Sequence, residues 1–493
     1  MTRLIAFFYL FAFIPLPFAT GQSHYNYSYY GEVIHSAPGM TFAQYFNAQT
    51  LGVTFSSPED LKVYEDMIYI VDSSTNQLVV VNNDFSLDEA HQIFALSADY
   101  SQELADNGIT GITSVSLNTP SGIEVVESGI YICDTGNKRI VKLNHDFEVI
   151  AIFDDVQDVT FEEISFEPKK ITVDSSERMY VVAKNVYEGI VEINSDGTFN
   201  RYTGVNPLKL TPIEIFQRSL MTEEQLAQMQ LYLPTEYTNV VINEDNFIYA
   251  TSKPSENNAE NPIQLINPKG VDVIKRNGYF PPMGDIQYIE GRNNYVIDGP
   301  SNLVDIAITH NGIYTVLDQK RSRLFTYDSE GNLLYINGDD GSQSDKFSEG
   351  VAIDYLGDDL LILDRGTKTV VVYRLTEFGS LVNQAIAYHS DGEFELAAMV
   401  WQQVVTMNSN YEIAYNGIGK LKLRQENYKE AMDYFKLGHD QYYYSKAFKA
   451  YRNEMIKDNF AFIGGGAVLL VGALIGLRIY KTYKKGGSIL YED

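Results

Sequence analysis

Among the 493 residues there is one cysteine, Cys133. A single thiol excludes an intrachain disulfide scaffold and supplies too few thiolates for a cysteine-ligated zinc or iron–sulfur site. The seven histidines, at 24, 35, 91, 145, 310, 389 and 439, include no pair at i, i+4, so nothing supports a zinc hydrolase of the His-Glu-x-x-His type. Metal chemistry would have to use oxygen ligands. No Gly-x-Ser-x-Gly run marks a nucleophilic elbow. Basic side chains are also scarce: 37 Lys and Arg stand against 65 Asp and Glu, a net charge of -28. That balance argues against nucleic acid, whose phosphates require a basic face. What the chain has in quantity is apolar and aromatic, with 36 tyrosines and 26 phenylalanines, and side chains of this kind favour strands.

Both ends read as membrane-directed. Residues 1–21 run from Met1-Thr2-Arg3 through an uncharged stretch, Leu4 to Ile14, to Pro15, Pro17 and Ala19-Thr20-Gly21. This is the order of a signal peptide, with cleavage expected before Gln22. Phe460–Leu477 is a charge-free run of eighteen residues. At ~1.5 Å per residue it nearly matches a hydrocarbon core of ~30 Å and reads as one transmembrane helix. Arg478, Lys481, Lys484 and Lys485 follow. By the positive-inside rule residues 478–493 form a cytoplasmic basic tail and the large middle segment lies outside the cell. Residues 22–440 hold 28 basic and 61 acidic side chains, a charge of about -33, so the outer part is more acidic than the total suggests.

The middle of the chain repeats. Pro58-Glu-Asp-Leu-Lys-Val63 is followed by Ile68-Tyr-Ile-Val-Asp72 and Asn76-Gln-Leu-Val-Val-Val81. The clearest copy is Pro120-Ser-Gly-Ile-Glu-Val125 with Ile130-Tyr-Ile-Cys-Asp-Thr-Gly-Asn-Lys-Arg-Ile-Val-Lys-Leu143. Further copies start at Pro168, Asn239, Asp305 and Val351, each with three short strands and turn residues between them. Six such units cannot bury both faces alone but can when packed radially, which predicts a mainly β, six-bladed propeller over residues 58–379, after an N-terminal segment of residues 22–57. Pro-x-Gly-Ile, Ile-Tyr-Ile and Asp134-Thr-Gly-Asn-Lys-Arg139-Ile resemble the NHL repeat. The shared Asp at 72, 134, 318 and 364 is expected to cap the turn between the second and third strands, with the residue five positions on (Gln77, Arg139, Arg323, Thr369) packing over it.

Two insertions interrupt the blades. In residues 204–236, Thr211-Pro212-Ile-Glu214 and Thr222-Glu-Glu-Gln225 predict two short helices by their capping boxes. Arg276-Asn-Gly-Tyr-Phe-Pro-Pro-Met283 is aromatic, and reads either as a contact for a sugar or partner or as a loop packed on its own blade. From about residue 385 the period becomes helical. Phe394, Ala397 and Trp401 recur 34 residues later as Tyr428, Ala431 and Phe435, and Ala385 corresponds to Gly419. That period and these small and aromatic positions resemble the tetratricopeptide repeat, over a helical module expected at residues 380–457.

Residues just before the innermost strands should face the propeller channel: Asp60, Gly122, Lys170, Asn239, Asp305 and Gly350. Asp60, Lys170, Asn239 and Asp305 are the binding candidates. Under an alternative, Asp60, Asn239 and Asp305 would hold Ca²⁺, as in the six-bladed calcium-dependent lactonases that this arrangement resembles. The chain departs from that family in lacking its Gly-Glu-Gly-Pro run, for which Pro58-Glu-Asp60 is a poor substitute. No catalytic residue and no cofactor are expected under the main reading. That reading is a membrane-anchored extracytoplasmic protein that binds a protein or carbohydrate partner through its propeller and helical module, with no nucleic acid, and a place beside a membrane transport complex is expected with it. Cysteine scarcity in a secreted chain, with Asn26-Tyr-Ser28 as a noted glycosylation-type sequon, favours a bacterial cell surface.

Overall fold

The computed structural model describes residues 24–154, 156–158, 161, 165–205, 236–254, 261–287, 289–292 and 295–487. The expected signal peptide and the two helices expected within 204–236 fall largely outside these residues.

Six antiparallel sheets follow one another along the chain. Blade 1 holds Pro58–Tyr64, Met67–Asp72, Gln77–Val81 and Leu87–His91, and blade 2 holds Gly122–Val126, Gly129–Asp134, Arg139–Leu143 and Val149–Phe153. Blade 3 holds Pro168–Val173, Met179–Ala183, Ile190–Ile193 and Phe199–Thr203, and blade 4 the three strands Tyr237–Ile242, Ile248–Ser252 and Ile263–Ile266. Blade 5 holds Leu303–Ile308, Tyr314–Asp318, Arg323–Tyr327 and Leu333–Asn337, and blade 6 contributes Gly350–Leu356, Asp359–Asp364 and Thr369–Leu375. This is the six-bladed propeller expected from the repeat. Apolar clusters fill the wedges between blades. Val71, Leu78, Ile123 and Ile132 pack blade 1 on blade 2, and Cys133, Ile140, Ile171 and Val181 pack blade 2 on blade 3. Cys133 is a fully buried core residue, and burial pushes its thiol well up.

The fourth strand of blade 6 comes from the other end of the propeller. Met40–Asn47 pairs antiparallel with Thr369–Leu375, Phe46 opposite Val370. The expected boundary at residue 58 is therefore corrected: part of the segment 22–57 closes the ring. Ahead of it, Tyr25–Tyr27 and Val33–His35 form a hairpin. The Tyr27 hydroxyl donates to the buried carboxylate of Asp285, and Tyr25 does so at 3.3 Å. Arg321, wholly buried, faces Asp285 at 3.2 Å and Asp318 at 3.7 Å. The 276–283 insertion lies against this hairpin, with Tyr279 edge-on to Tyr29 and Phe280 beside Gly31. Asn26 of the noted sequon is buried and donates its amide to the Leu334 carbonyl at 3.2 Å, so it is built into the fold.

The repeated Asp does what its position suggested, and more. Asp72 Oδ1 accepts from Ser74 N at 3.0 Å and Thr75 N at 2.9 Å within the turn, while its Oδ2 accepts from Ser56 N at 2.6 Å in the loop entering the blade. Asp364 repeats this with Gly366 N at 3.0 Å in the turn and Ser348 N at 3.0 Å in the entry loop. The turn then passes through the left-handed region at Asn76, Lys138, Ser322 and Lys368, four residues after the Asp in each case. One carboxylate thus fixes both loops on one face of the blade, which offsets the backbone strain of a non-glycine residue there. The residue five positions on packs over its Asp in only part of the set: Arg139 Nε bonds Asp134 at 2.8 Å, but Gln77 reaches the Thr54 carbonyl and Arg323 reaches Asp339.

A second compact unit begins at Gln384. Its helices are the end of Glu377–Ser390, then Phe394–Met407, Glu412–Arg424, Tyr428–Leu437, Gln441–Asp458 and Phe460–Gly487. Ala397, Trp401, Ala431 and Phe435, matched by the 34-residue spacing, are all buried. Gly417 lets Trp401 lie against its backbone, and Gly419 does the same for Phe435, so small residues set the helix spacing. Phe460–Lys484 is, among the described residues, the one helix long and apolar enough to cross a bilayer, with a mean hydropathy of 2.3.

Candidate functional site

The inner strand of each blade is an edge strand that borders the central channel. On that side its backbone N–H groups have no neighbouring strand, and in a filled channel they also lack water. Among the described residues, Asp60, Lys62, Glu124, Asn239, Asp305 and Asp354 line a cavity of about 20 Å³, room for one water molecule. Side chains supply the missing acceptors, and they do so across blades. Asp60 Oδ2 accepts from Ile123 N of blade 2 at 2.9 Å, and Asp305 Oδ2 accepts from Ile353 N of blade 6 at 2.6 Å. Asp354 Oδ2 accepts from Val63 N of blade 1 at 2.8 Å, and Thr172 Oγ1 accepts from Ile242 N of blade 4 at 3.2 Å.

Carboxylates buried for this purpose need cations. Lys170 Nζ meets Asp60 Oδ1 at 2.6 Å and also donates to the Glu59 carbonyl at 3.2 Å. Lys62 Nζ lies 3.3 Å from Glu124 and 3.9 Å from Asp354. Asn239 donates its amide Nδ2 to Asp305 Oδ1, and its own Oδ1 accepts from Val240 N at 2.8 Å. At the rim, Arg365 of blade 6 bridges Glu59 of blade 1 at 3.0 Å and Glu349.

All four sequence candidates, Asp60, Lys170, Asn239 and Asp305, therefore come together in one layer, each of them buried and bonded within the layer or to a neighbouring blade. Gly350 does not belong to it. A bulge between Gly350 and Ala352 shifts the register, so Gly350 pairs with Asp364 just as Pro58 pairs with Asp72, and Ala352 takes the sixth position. A second layer, Lys62, Glu124, Thr172 and Asp354, was missed. Its signal was the two-residue period of a strand, which places positions 60 and 62, or 170 and 172, on the same face.

The electrostatics follow from burial. Burial pushes Asp305 up to about 7, with Lys170 pulling it down and Asp60 pushing it further up. Burial also raises Asp60, against the pull of Lys170. Burial alone would lower Lys170, but Asp60 and Asp305 reverse this and raise it. The folded chain thus keeps the Asp305 proton up to about 7, whereas an unfolded Asp loses it near ~3.9. Between these values the folded state binds more protons, so this contribution to stability is full at acid pH and is lost as the pH rises through 7. Thermal unfolding is expected to occur at a lower temperature at pH 8 than at pH 5, and Asp305→Asn should flatten that dependence. An unchanged slope in the variant would assign the effect elsewhere.

The donor set does not suit Ca²⁺. Asp60 is already committed to the Lys170 ammonium and two backbone N–H groups, and Asn239 turns its N–H donor, not its oxygen, toward Asp305. Among the described residues no group of three His, Cys, Asp or Glu side chains stands where it could hold a metal.

No family model matches the sequence. No curated protein matches it either. Solved structures with a similar chain course include virginiamycin B lyase from Staphylococcus aureus, at 12% identity over 68% of this chain and 99% of that one, with a TM-score of 0.39. A protein from Bacteroides caccae matches at 10% identity over 64% and 98% of the two chains, with a TM-score of 0.35. The PQQ-bound aldose sugar dehydrogenase from Streptomyces coelicolor matches at 9% identity over 69% and 100%, with a TM-score of 0.34. The assignment of six blades stands on the strand pairing of this chain itself.

Proposed function

We propose that this is a membrane-anchored extracytoplasmic binding or scaffold protein that recognises a protein or carbohydrate partner through an NHL-like propeller and a tetratricopeptide-like helical unit. The observation that carries the reading is the filled channel. Its acids, lysines and amide bond to one another and to the backbone around a one-water cavity, so the position where propellers hold ligands is occupied by structure. Recognition then falls to the outer surfaces and loops that this rigid ring presents. Anchoring is supported by the apolar helix from Phe460 to Lys484 and the cations at its end. A bacterial cell surface and a place beside a transport complex belong to the same proposal.

The test is affinity purification of the tagged full chain from cross-linked membranes. One envelope protein or glycan recovered in stoichiometric amount is the expected result, and recovery of none would overturn the reading. In the same preparation, millimolar Ca²⁺ is expected to leave the unfolding temperature unchanged. A rise in that temperature which Asp305→Ala abolishes would favour the lactonase-type alternative instead.

A further inference from the structure

The helix Gln441–Asp458 buries one stripe of its surface and leaves a second apolar stripe uncovered. Tyr443 and Ala447 pack on Ala431 and Phe435 of the helix before it, with Tyr443 stacked on Phe435 at 5.5 Å between centroids. About a quarter-turn round the helix, Tyr444, Phe448, Tyr451 and Met455 follow one another at steps of four, three and four residues. Tyr444, Phe448 and Met455 are 36%, 46% and 49% exposed, and Tyr451 is half-buried. Alternating steps of three and four make the ~3.5-residue period that keeps one seam facing a partner helix. Two further exposed apolar residues, Tyr442 and Ile456, fall outside this seam, among Lys446, Lys449, Arg452 and Asn453. The seam runs on into the apolar segment. Asn459 alone separates this helix from Phe460–Gly487, and its N–H still donates to the Met455 carbonyl at 3.1 Å. The same alternation leads through Asp458 to Phe462, Gly465, Leu469, Gly472 and Gly476, where small residues let two backbones approach closely.

We propose that this seam pairs two copies of the chain as a parallel dimer. Lipid does not cover its outer part. Phe448 stands twelve residues before Phe460, ~18 Å of helix, whereas the headgroup layer adds only ~5–8 Å to each side of the hydrocarbon core. A second copy held by the same helix in the same orientation presents an identical seam at an identical height, the self-complementary arrangement of a two-fold interface. Area decides how much of the seam is needed. At ~200 Å² for a large side chain, the exposed parts of Tyr444, Phe448 and Met455 come to about 500 Å² over two copies. Phe462 and Leu469, 83% and 75% exposed, bring this to about 1,100 Å², close to the ~1,200 Å² at which specific interfaces begin. Both stretches of the seam are therefore required, and two copies confined to one membrane plane meet at a high effective concentration that favours pairing. Asp458 is the one charged position on the seam. Pairing brings two carboxylates together there, so this residue works against the dimer. The proposal rests on the membrane anchoring put forward above and goes beyond it by naming a second copy as a partner.

The experiment places single cysteines along the helix of the full chain in the membranes that express it. Cys133 is fully buried and does not compete. Under mild oxidation Phe448→Cys and Met455→Cys are expected to link the chain into a product of twice its mass, about tenfold more than Asn453→Cys on the opposite side of the helix. Energy transfer between donor- and acceptor-labelled chains in phosphatidylcholine vesicles gives a second reading. Asp458→Asn should strengthen association several-fold, and Gly472→Leu with Gly476→Leu should weaken it by about tenfold. Circular dichroism must show the variants folded. Equal linkage at positions 448 and 453, linkage to a protein of another mass, or energy transfer that Asp458→Asn leaves unchanged would overturn the dimer. Washing the membranes with alkaline carbonate separates the two failures. A chain that washes out overturns the anchoring and the dimer with it, whereas a chain that stays in the membrane and does not cross-link overturns the dimer alone.

Discussion

Lys170→Met is expected to destabilise the propeller by about 3–5 kcal/mol, the cost of leaving a buried carboxylate without its cation. The reason lies in what Asp60 does. It accepts from Ile123 N at 2.9 Å, so it cannot turn away toward solvent without orphaning the inner strand of blade 2. With Lys170 gone, the buried Asp60 and Asp305 lose the cation that offsets both, and Asp60 already pushes the Asp305 carboxyl up. The neutral pair Asp60→Asn with Lys170→Met removes both charges and keeps an oxygen for Ile123, and it should cost clearly less than Lys170→Met alone. Urea unfolding of the full chain in detergent, followed by tyrosine fluorescence, measures both. If the single variant unfolds at the wild-type midpoint, the channel charges are not coupled to the fold.

The other large effect concerns closure. A chain beginning at Ala48 lacks the outer strand of blade 6 and leaves Thr369–Leu375 as an exposed edge. It also loses Phe46, which is buried between blades 6 and 1 and stacks on Phe85 at 5.3 Å. Such a chain is expected to lose its cooperative thermal transition, become sensitive to limited proteolysis and aggregate through the open edge. Phe46→Ala in the intact chain should cost about 3–5 kcal/mol, the usual cost of a buried phenylalanine. A synthetic peptide covering residues 38–48, added in trans, should restore protease resistance by strand addition. Wild-type resistance in the truncated chain would show the ring to be held by blade packing alone.

The blades were legible because each copy shows three short strands with turn residues between them, and four of the six second strands end on Asp, at 72, 134, 318 and 364, while those of blades 3 and 4 keep only the strand pattern. The closing strand was not. Met40-Thr-Phe-Ala-Gln-Tyr-Phe-Asn47 carries no repeat signal, since its partner lies at the far end of the propeller. The channel residues could be named from their place ahead of the strands, and they do converge. Their work could not be named, because an acceptor for the N–H of Ile123 or Ile353 is needed only once neighbouring blades stand side by side. Gly350 was misplaced by a bulge that changes register without changing the local pattern. In the helical unit the 34-residue spacing located Trp401 and Phe435, but it says nothing of Lys420 and Lys446 meeting over Tyr443, where two long side chains cross from separate helices.

The strand that closes the ring is made early and finds its partner last. About 320 residues separate Phe46 from Val370, with five complete blades between them. Contacts of such long range fold slowly, and until the last blade forms, the early strand carries an unpaired edge open to mispairing. The same connection works in reverse: a route that opens the ring at this seam peels away Met40–Asn47, so contacts that hold this strand are expected to slow unfolding by that route.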